Sequence, residues 1–86
     1  MSLPPTPEPI LRSRTVPASE ILDGRVDLRS YPFRYLAVVA NRGTGGDQVT
    51  YALAAAEMLS QSGGWLLVSI SEFTASRIVY AFLRRP

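Results

Sequence analysis

Hydrophobic and polar positions fall into a readable order along the second half of the chain. Phe33 to Ala40 is an almost unbroken apolar run entered through Pro32, a position where strands tolerate proline. Asn41 to Gly46 holds too much glycine for regular structure, and Asp47 then offers an N-cap. From Gln48 to Ser62 the spacing predicts a helix. Val49, Ala52, Leu53, Ala56 and Leu59 share one face, and Tyr51, Ala54, Ala55 and Met58 form a second apolar strip. Gly63-Gly64 ends it. Trp65 to Ser71 reads as a second strand, Glu72 to Ser76 as a turn, and Arg77 to Arg84 as a third strand.

This β-α-β-β order predicts an α+β fold. The helix joins two parallel strands, and the last strand inserts between them as an antiparallel neighbour, giving a three-stranded mixed sheet of order 1-3-2 with one helix on one face. Alternation assigns Leu36, Val38, Leu66, Val68, Ile70, Val79, Ala81 and Leu83 to the helix side. It assigns Phe33, Tyr35, Val39, Trp65, Leu67, Ile78, Tyr80 and Phe82 to the opposite face. All three strands are apolar on both faces, whereas a solvated face should read polar. One helix covers one face, so something else must cover the other.

The first half reads differently. Residues 1–17 hold Pro4, Pro5, Pro7, Pro9 and Pro17, which predicts a disordered or polyproline-like arm. Pro4 to Pro7 matches the Pro-x-x-Pro spacing, a frequent chance occurrence. Residues 18–30 read as a linker with a single turn, Glu20 to Leu22, stopping at Gly24. An extended Arg25–Arg29 follows, and the segment lies on the domain through Ile21, Leu22, Val26 and Leu28. The domain proper is residues 31–86.

Composition removes whole classes of chemistry. The 86 residues include no cysteine, no histidine and no lysine. Disulfides, thiolate or imidazole metal sites, Schiff bases and Walker-type phosphate loops therefore have no residues to use. All nine basic residues are arginine, and the net charge is only +2, a weak case for nucleic acid or an anionic membrane. Glu57 and Gly63-Gly64 interrupt the longest weakly charged stretch, so no membrane span is read, and the N-terminus lacks the pattern of a secretory signal. A cytoplasmic location is the resulting expectation.

The residues from Tyr35 onward carry a resemblance. Tyr35-Leu36-Ala37-Val38-Val39, the helix, Gly63-Gly64-Trp65-Leu66-Leu67-Val68-Ser69-Ile70 and Val79-Tyr80-Ala81-Phe82-Leu83-Arg84-Arg85-Pro86 resemble a family of short bacterial proteins of unknown function. That family has a tyrosine-rich first strand, a helix, a Gly-Trp-Glu-Leu-Val-Ser strand and a last strand ending in a basic pair. The likeness spans about residues 33–86, and the chain departs from it at Leu66, where the family has Glu. It implies a β-α-β-β domain and no activity.

Candidate sites are few. Gly43-Thr44-Gly45-Gly46-Asp47 sits between strand and helix, where phosphates bind in nucleotide folds, but Asp47 would repel an anion. The carboxylates closest in sequence, Asp23 and Asp27, are interleaved with Arg25 and Arg29 and read as a solvated, charge-balanced segment. Ser69 and Ser71 have no base partner. These features predict no enzyme, no cofactor and no metal. The expectation is a self-associating interaction module, a homodimer or a module for another protein, built on Phe33, Tyr35, Trp65, Leu67, Ile78, Tyr80 and Phe82 of the sheet and Tyr51, Ala55 and Met58 of the helix. The alternative is a single-stranded nucleic-acid binder that stacks bases on sheet aromatics beside Arg34, Arg42, Arg77, Arg84 and Arg85. A ligand pocket near Gly43–Asp47 has the least support.

Overall fold

A computed structural model describes residues 5–41, 47–73 and 77–86. Along the chain come α1 (Glu8–Ser13), β1 (Thr15–Pro17), α2 (Ala18–Leu22), β2 (Tyr35–Ala40), α3 (Gln48–Gly63), β3 (Leu66–Phe73) and β4 (Ile78–Arg84). The fold is α+β with one mixed sheet of order β1-β2-β4-β3. The predicted insertion of the last strand is present: β4 lies between β2 and β3 and runs antiparallel to both. Two features of the expected plan are corrected. Among the described residues the sheet has four strands, not three, and there are three helices, not one.

The added strand β1 and the helix α1 come from the segment expected to be a disordered arm, and α2 from the linker expected to hold a single turn. The prolines of the arm occupy positions that regular structure accepts. Pro7 is the N-cap of α1 and Pro9 lies in its first turn, where amides have no helical partner to lose. Pro17 is the last residue of β1 and the N-cap of α2. β1 pairs parallel with β2 through Thr15–Ala37, Val16–Val38 and Pro17–Val39. Val16 is fully buried, and Ile10 and Ala18 join the same core. The turn expected at Glu20–Leu22 begins earlier, at Ala18, with Pro17 in the N-cap position.

Residues paired across the sheet share a face. On the helix side lie the rows Val16–Val38–Ala81–Ile70 and Leu36–Leu83–Leu67. In β2 and β4 the helix-side residues Leu36, Val38, Val79, Ala81 and Leu83 are buried as the alternation predicts. Against them α3 buries Ala52, Ala55, Ala56 and Leu59. Helical spacing had put Leu53 in the core face and Ala55 outside it. The helix is rotated so that Ala55 is fully buried and Leu53 lies out, which lets the alanine face sit close on the strands.

The ends of α3 follow from local chemistry. Asp47 Oδ1 accepts the Val49 amide at 3.0 Å. At the other end Gly64 adopts φ +72°, a left-handed value that glycine takes without strain. The Trp65 amide then donates back to the Leu59 carbonyl at 3.4 Å. Gly63 is required for another reason: a Cβ there would stand 3.1 Å from the Trp65 ring.

Val16→Asp tests the docked arm. An unpaired carboxylate in the core should cost several kcal/mol, about 3–5 by analogy with a broken buried pair. Against a total of ~5–15 kcal/mol, urea denaturation should show a barely folded protein. An unchanged midpoint would mean that residues 15–17 are not in the sheet.

Candidate interaction surface

The basic end of the chain closes an aromatic cluster. Tyr31 and Trp65 are buried with ring centroids 5.8 Å apart, and Phe33 meets Tyr31 edge-on at 5.5 Å. Arg85 stacks on Trp65, its Cζ 4.8 Å from the ring centroid, and its Nη2 donates to the Tyr31 carbonyl. Arg14 lies over Phe33 at 3.8 Å. The Tyr31 hydroxyl donates to the Tyr35 carbonyl at 2.7 Å. Burial raises the Tyr31 pKa above its ordinary value, and the pull of Arg14 and Arg85 only partly offsets this.

This cluster corrects three expected surface residues. Trp65 is 2% exposed and precedes β3 rather than projecting from it, so it is an internal anchor. Ala55 lies on the buried face of α3 and is equally unavailable to another molecule. Phe33 is half-buried against Arg14 and Tyr31. Tyr51 is also half-buried, packed on the core. Of the helix strip, Met58 alone is well exposed.

Of the remaining predicted residues, Tyr35, Ile78, Tyr80 and Phe82 lie together on the second sheet face. That face carries Tyr35, Ala37 and Val39 from β2, and Ile78, Tyr80 and Phe82 from β4. Tyr35 is 61% exposed and Phe82 38%. Tyr80 and Phe82 stack with centroids 6.0 Å apart and planes 13° from parallel, and Phe73 meets Tyr80 edge-on at 5.6 Å. The rings therefore satisfy one another in a row, which leaves less free ring surface than separate base-stacking platforms would need.

β3 overturns the strand alternation. Its pairing with β4 runs Leu67–Leu83 and then Ser69–Phe82, so Val68 is the extra residue of a β-bulge. The bulge shifts the face assignment: Leu66 falls on the second face with Arg84, and Leu67 falls on the helix side with Leu83. Both differ from the expected assignment, whereas Ile70 lies on the helix side as expected. Leu66, Leu67, Val68 and Ile70 are all substantially exposed, Val68 at 55%. The cause is position. α3 packs chiefly on β4 and β2, and only its flank reaches β3. Met58 borders a cleft with Val26, Leu28 and Arg29 on one flank of α3. Helical spacing places Leu53, itself exposed, on the opposite flank.

The carboxylates are occupied with local work. Asp27 accepts from the Arg29 backbone amide and guanidinium, including 2.6 Å to Nη2. Asp23 meets Arg25 at 3.7 Å and Glu8 meets Arg12 at 3.7 Å. The Asp27–Arg29 pair rims an open cleft of about 540 Å³ with Trp65 at its side. Among the described residues no cluster of carboxylates could hold a metal ion. The glycine loop at 43–46, with Arg42, lies outside the described residues, so its anion-site reading rests on sequence alone. Among the described residues no helix is long and apolar enough to cross a membrane.

Fold and surface together define a small α+β protein whose exposed apolar residues gather on one sheet face and one sheet edge. Comparison with protein-family models, with curated proteins and with solved structures finds no match.

The hydrogen bonds from the Arg29 side chain and backbone hold the Asp27 carboxyl at about 2, below its ordinary 3.8. A carboxyl depressed in the folded state adds stability above its unfolded pKa and loses that contribution as pH falls toward the folded value. A carboxyl-carbon NMR titration should therefore place the Asp27 midpoint near 2 and return it toward 3.8 in Arg29→Ala. A parent midpoint already near 3.8 would mean that the pair does not persist in solution.

Proposed function

We propose that this chain is a non-enzymatic, self-associating interaction module that meets a second copy through its exposed apolar sheet surface at β3. One observation carries the proposal. Leu66, Leu67, Val68, Ile70 and Phe73 of β3 are all exposed, and Phe82 and Tyr35 are exposed on the second face. Monomeric soluble proteins rarely expose so continuous an apolar patch, and larger patches mark interaction sites.

Size supports the same reading. A chain of this length buries a smaller fraction of its surface than a larger domain does, and without cysteine it has no disulfide to compensate. Twofold association supplies extra burial without extra sequence.

Light scattering after size exclusion, at tens of micromolar, should give twice the mass of 9.4 kDa. Val68→Asp places a charge in the patch without touching the core, so it should give monomers with an unchanged circular dichroism spectrum. A parent that runs as a monomer would overturn the proposal. The same monomer shifting a labelled oligonucleotide at low salt would favour the nucleic-acid reading instead.

Phe82→Ala separates the contributions. Phe82 is partly exposed within one chain, so the monomer should lose less than the ~3–5 kcal/mol of a fully buried aromatic. The association constant should fall at least tenfold if the second face is buried between the copies, and change little if the β3 edge alone makes the contact. Equal losses in a concentration series of thermal melts, with no concentration dependence, would show that Phe82 serves the monomer alone.

A further inference from the structure

The two edges of the sheet differ in kind. β1 is three residues long and ends in Pro17, which has no amide hydrogen to offer a neighbour. β3 is eight residues long, carries a single charge at Glu72 and contains no proline. An exposed edge strand is a template for another strand, and proteins usually blunt it with shortness, proline, charge or a cover. β1 has two of these protections. β3 has one charge and one bulge, and α3 does not extend over it far enough to bury Leu67 or Ile70.

We propose that β3 pairs antiparallel with β3 of a second copy, joining two four-stranded sheets into one sheet of eight strands. This rests on the self-association proposed above and assigns its geometry. An antiparallel pair related by a twofold axis normal to the sheet is self-complementary, because each edge presents to the other the pattern it receives. β1 is too short and too constrained to accept β3, so head-to-tail addition has no acceptor and assembly stops at two chains.

The side chains point the same way. β3 carries apolar side chains on both sides of the sheet, Leu67 and Ile70 beside Glu72 on the helix side, and Leu66 and Phe73 beside Ser69 and Ser71 on the other. Packing the second faces together would cover Leu66 and leave Leu67 and Ile70 in water. A strand laid along the edge brings apolar residues against both sets at once. Like charges directly opposite one another are unfavourable, so the twofold axis lies away from Glu72. Centred at Ile70, it sets Ile70 opposite its own copy and Ser69 opposite Ser71 of the second copy.

The absence of cysteine makes each introduced thiol unique. Under mild oxidation Ile70→Cys should form a covalent dimer in high yield. Because that change also trims an apolar contact, a second experiment leaves the apolar residues intact. Ser69→Cys mixed with Ser71→Cys should give several-fold more cross-linked dimer than either variant alone, while Tyr35→Cys on the second face should give little. If the parent is dimeric by light scattering but Tyr35→Cys cross-links and the β3 cysteines do not, the edge pairing is wrong and self-association stands. A monomeric parent overturns both readings. Assemblies larger than two chains overturn the closed pairing.

Discussion

The seat of α3 on the sheet governs the rest of the molecule. Ala52, Ala55 and Ala56 present almost no side chain, so the helix lies close over β2 and β4, where Leu36, Val38, Val79, Ala81 and Leu83 fill the space. A close helix is a narrow cover. With α2 beside it, the helical layer shelters β1, β2 and β4 on one side of the sheet. β3 extends beyond that shelter, and the described helices leave the aromatic row of the opposite face partly in water. The N-terminal segment completes the covered half by adding a strand with buried Val16 and by stacking Arg14 on Phe33. The C-terminus does likewise through Arg85 on Trp65.

Much of this was legible in the amino-acid order where periodicity and burial agree. β2 and β4 alternate as read because each is paired on both edges and packed on one face, which leaves a single permissible register. The insertion of β4 between β2 and β3 followed from connection length. β3 departs from simple alternation because the bulge at Val68 changes its phase, and the unbroken apolar run Leu66-Leu67-Val68 that holds the bulge gives no polar residue to reveal the shift. Trp65 was misplaced for a related reason. It stands one residue before the strand, where the helix-ending Gly64 turns the chain inward, and alternation does not extend across that turn.

The N-terminal error has a different origin. Proline forbids helix interiors and central strands, and five prolines in seventeen residues argued for neither. Position mattered more than number. Pro7, Pro9 and Pro17 sit at a cap, a first turn and a strand end, where the missing amide costs nothing. The burial of Ile10 and Val16, two of the few aliphatic residues in that segment, was the available signal. The exposed surface was legible in outline: an uncovered apolar face was expected, and Tyr35 and Phe82 lie on it. That exposure would concentrate on β3 was not, since it depends on how far α3 reaches across the sheet.

The central claim is that the apolar edge left by α3 is closed by another chain. Amide hydrogen exchange along β3, followed from nanomolar to high micromolar protein, tests it most directly. The account predicts that protection of the Leu66–Phe73 amides rises with concentration, while the core amides of β2 and β4 keep constant rates. Exchange in β3 that is fast and identical at every concentration would contradict it.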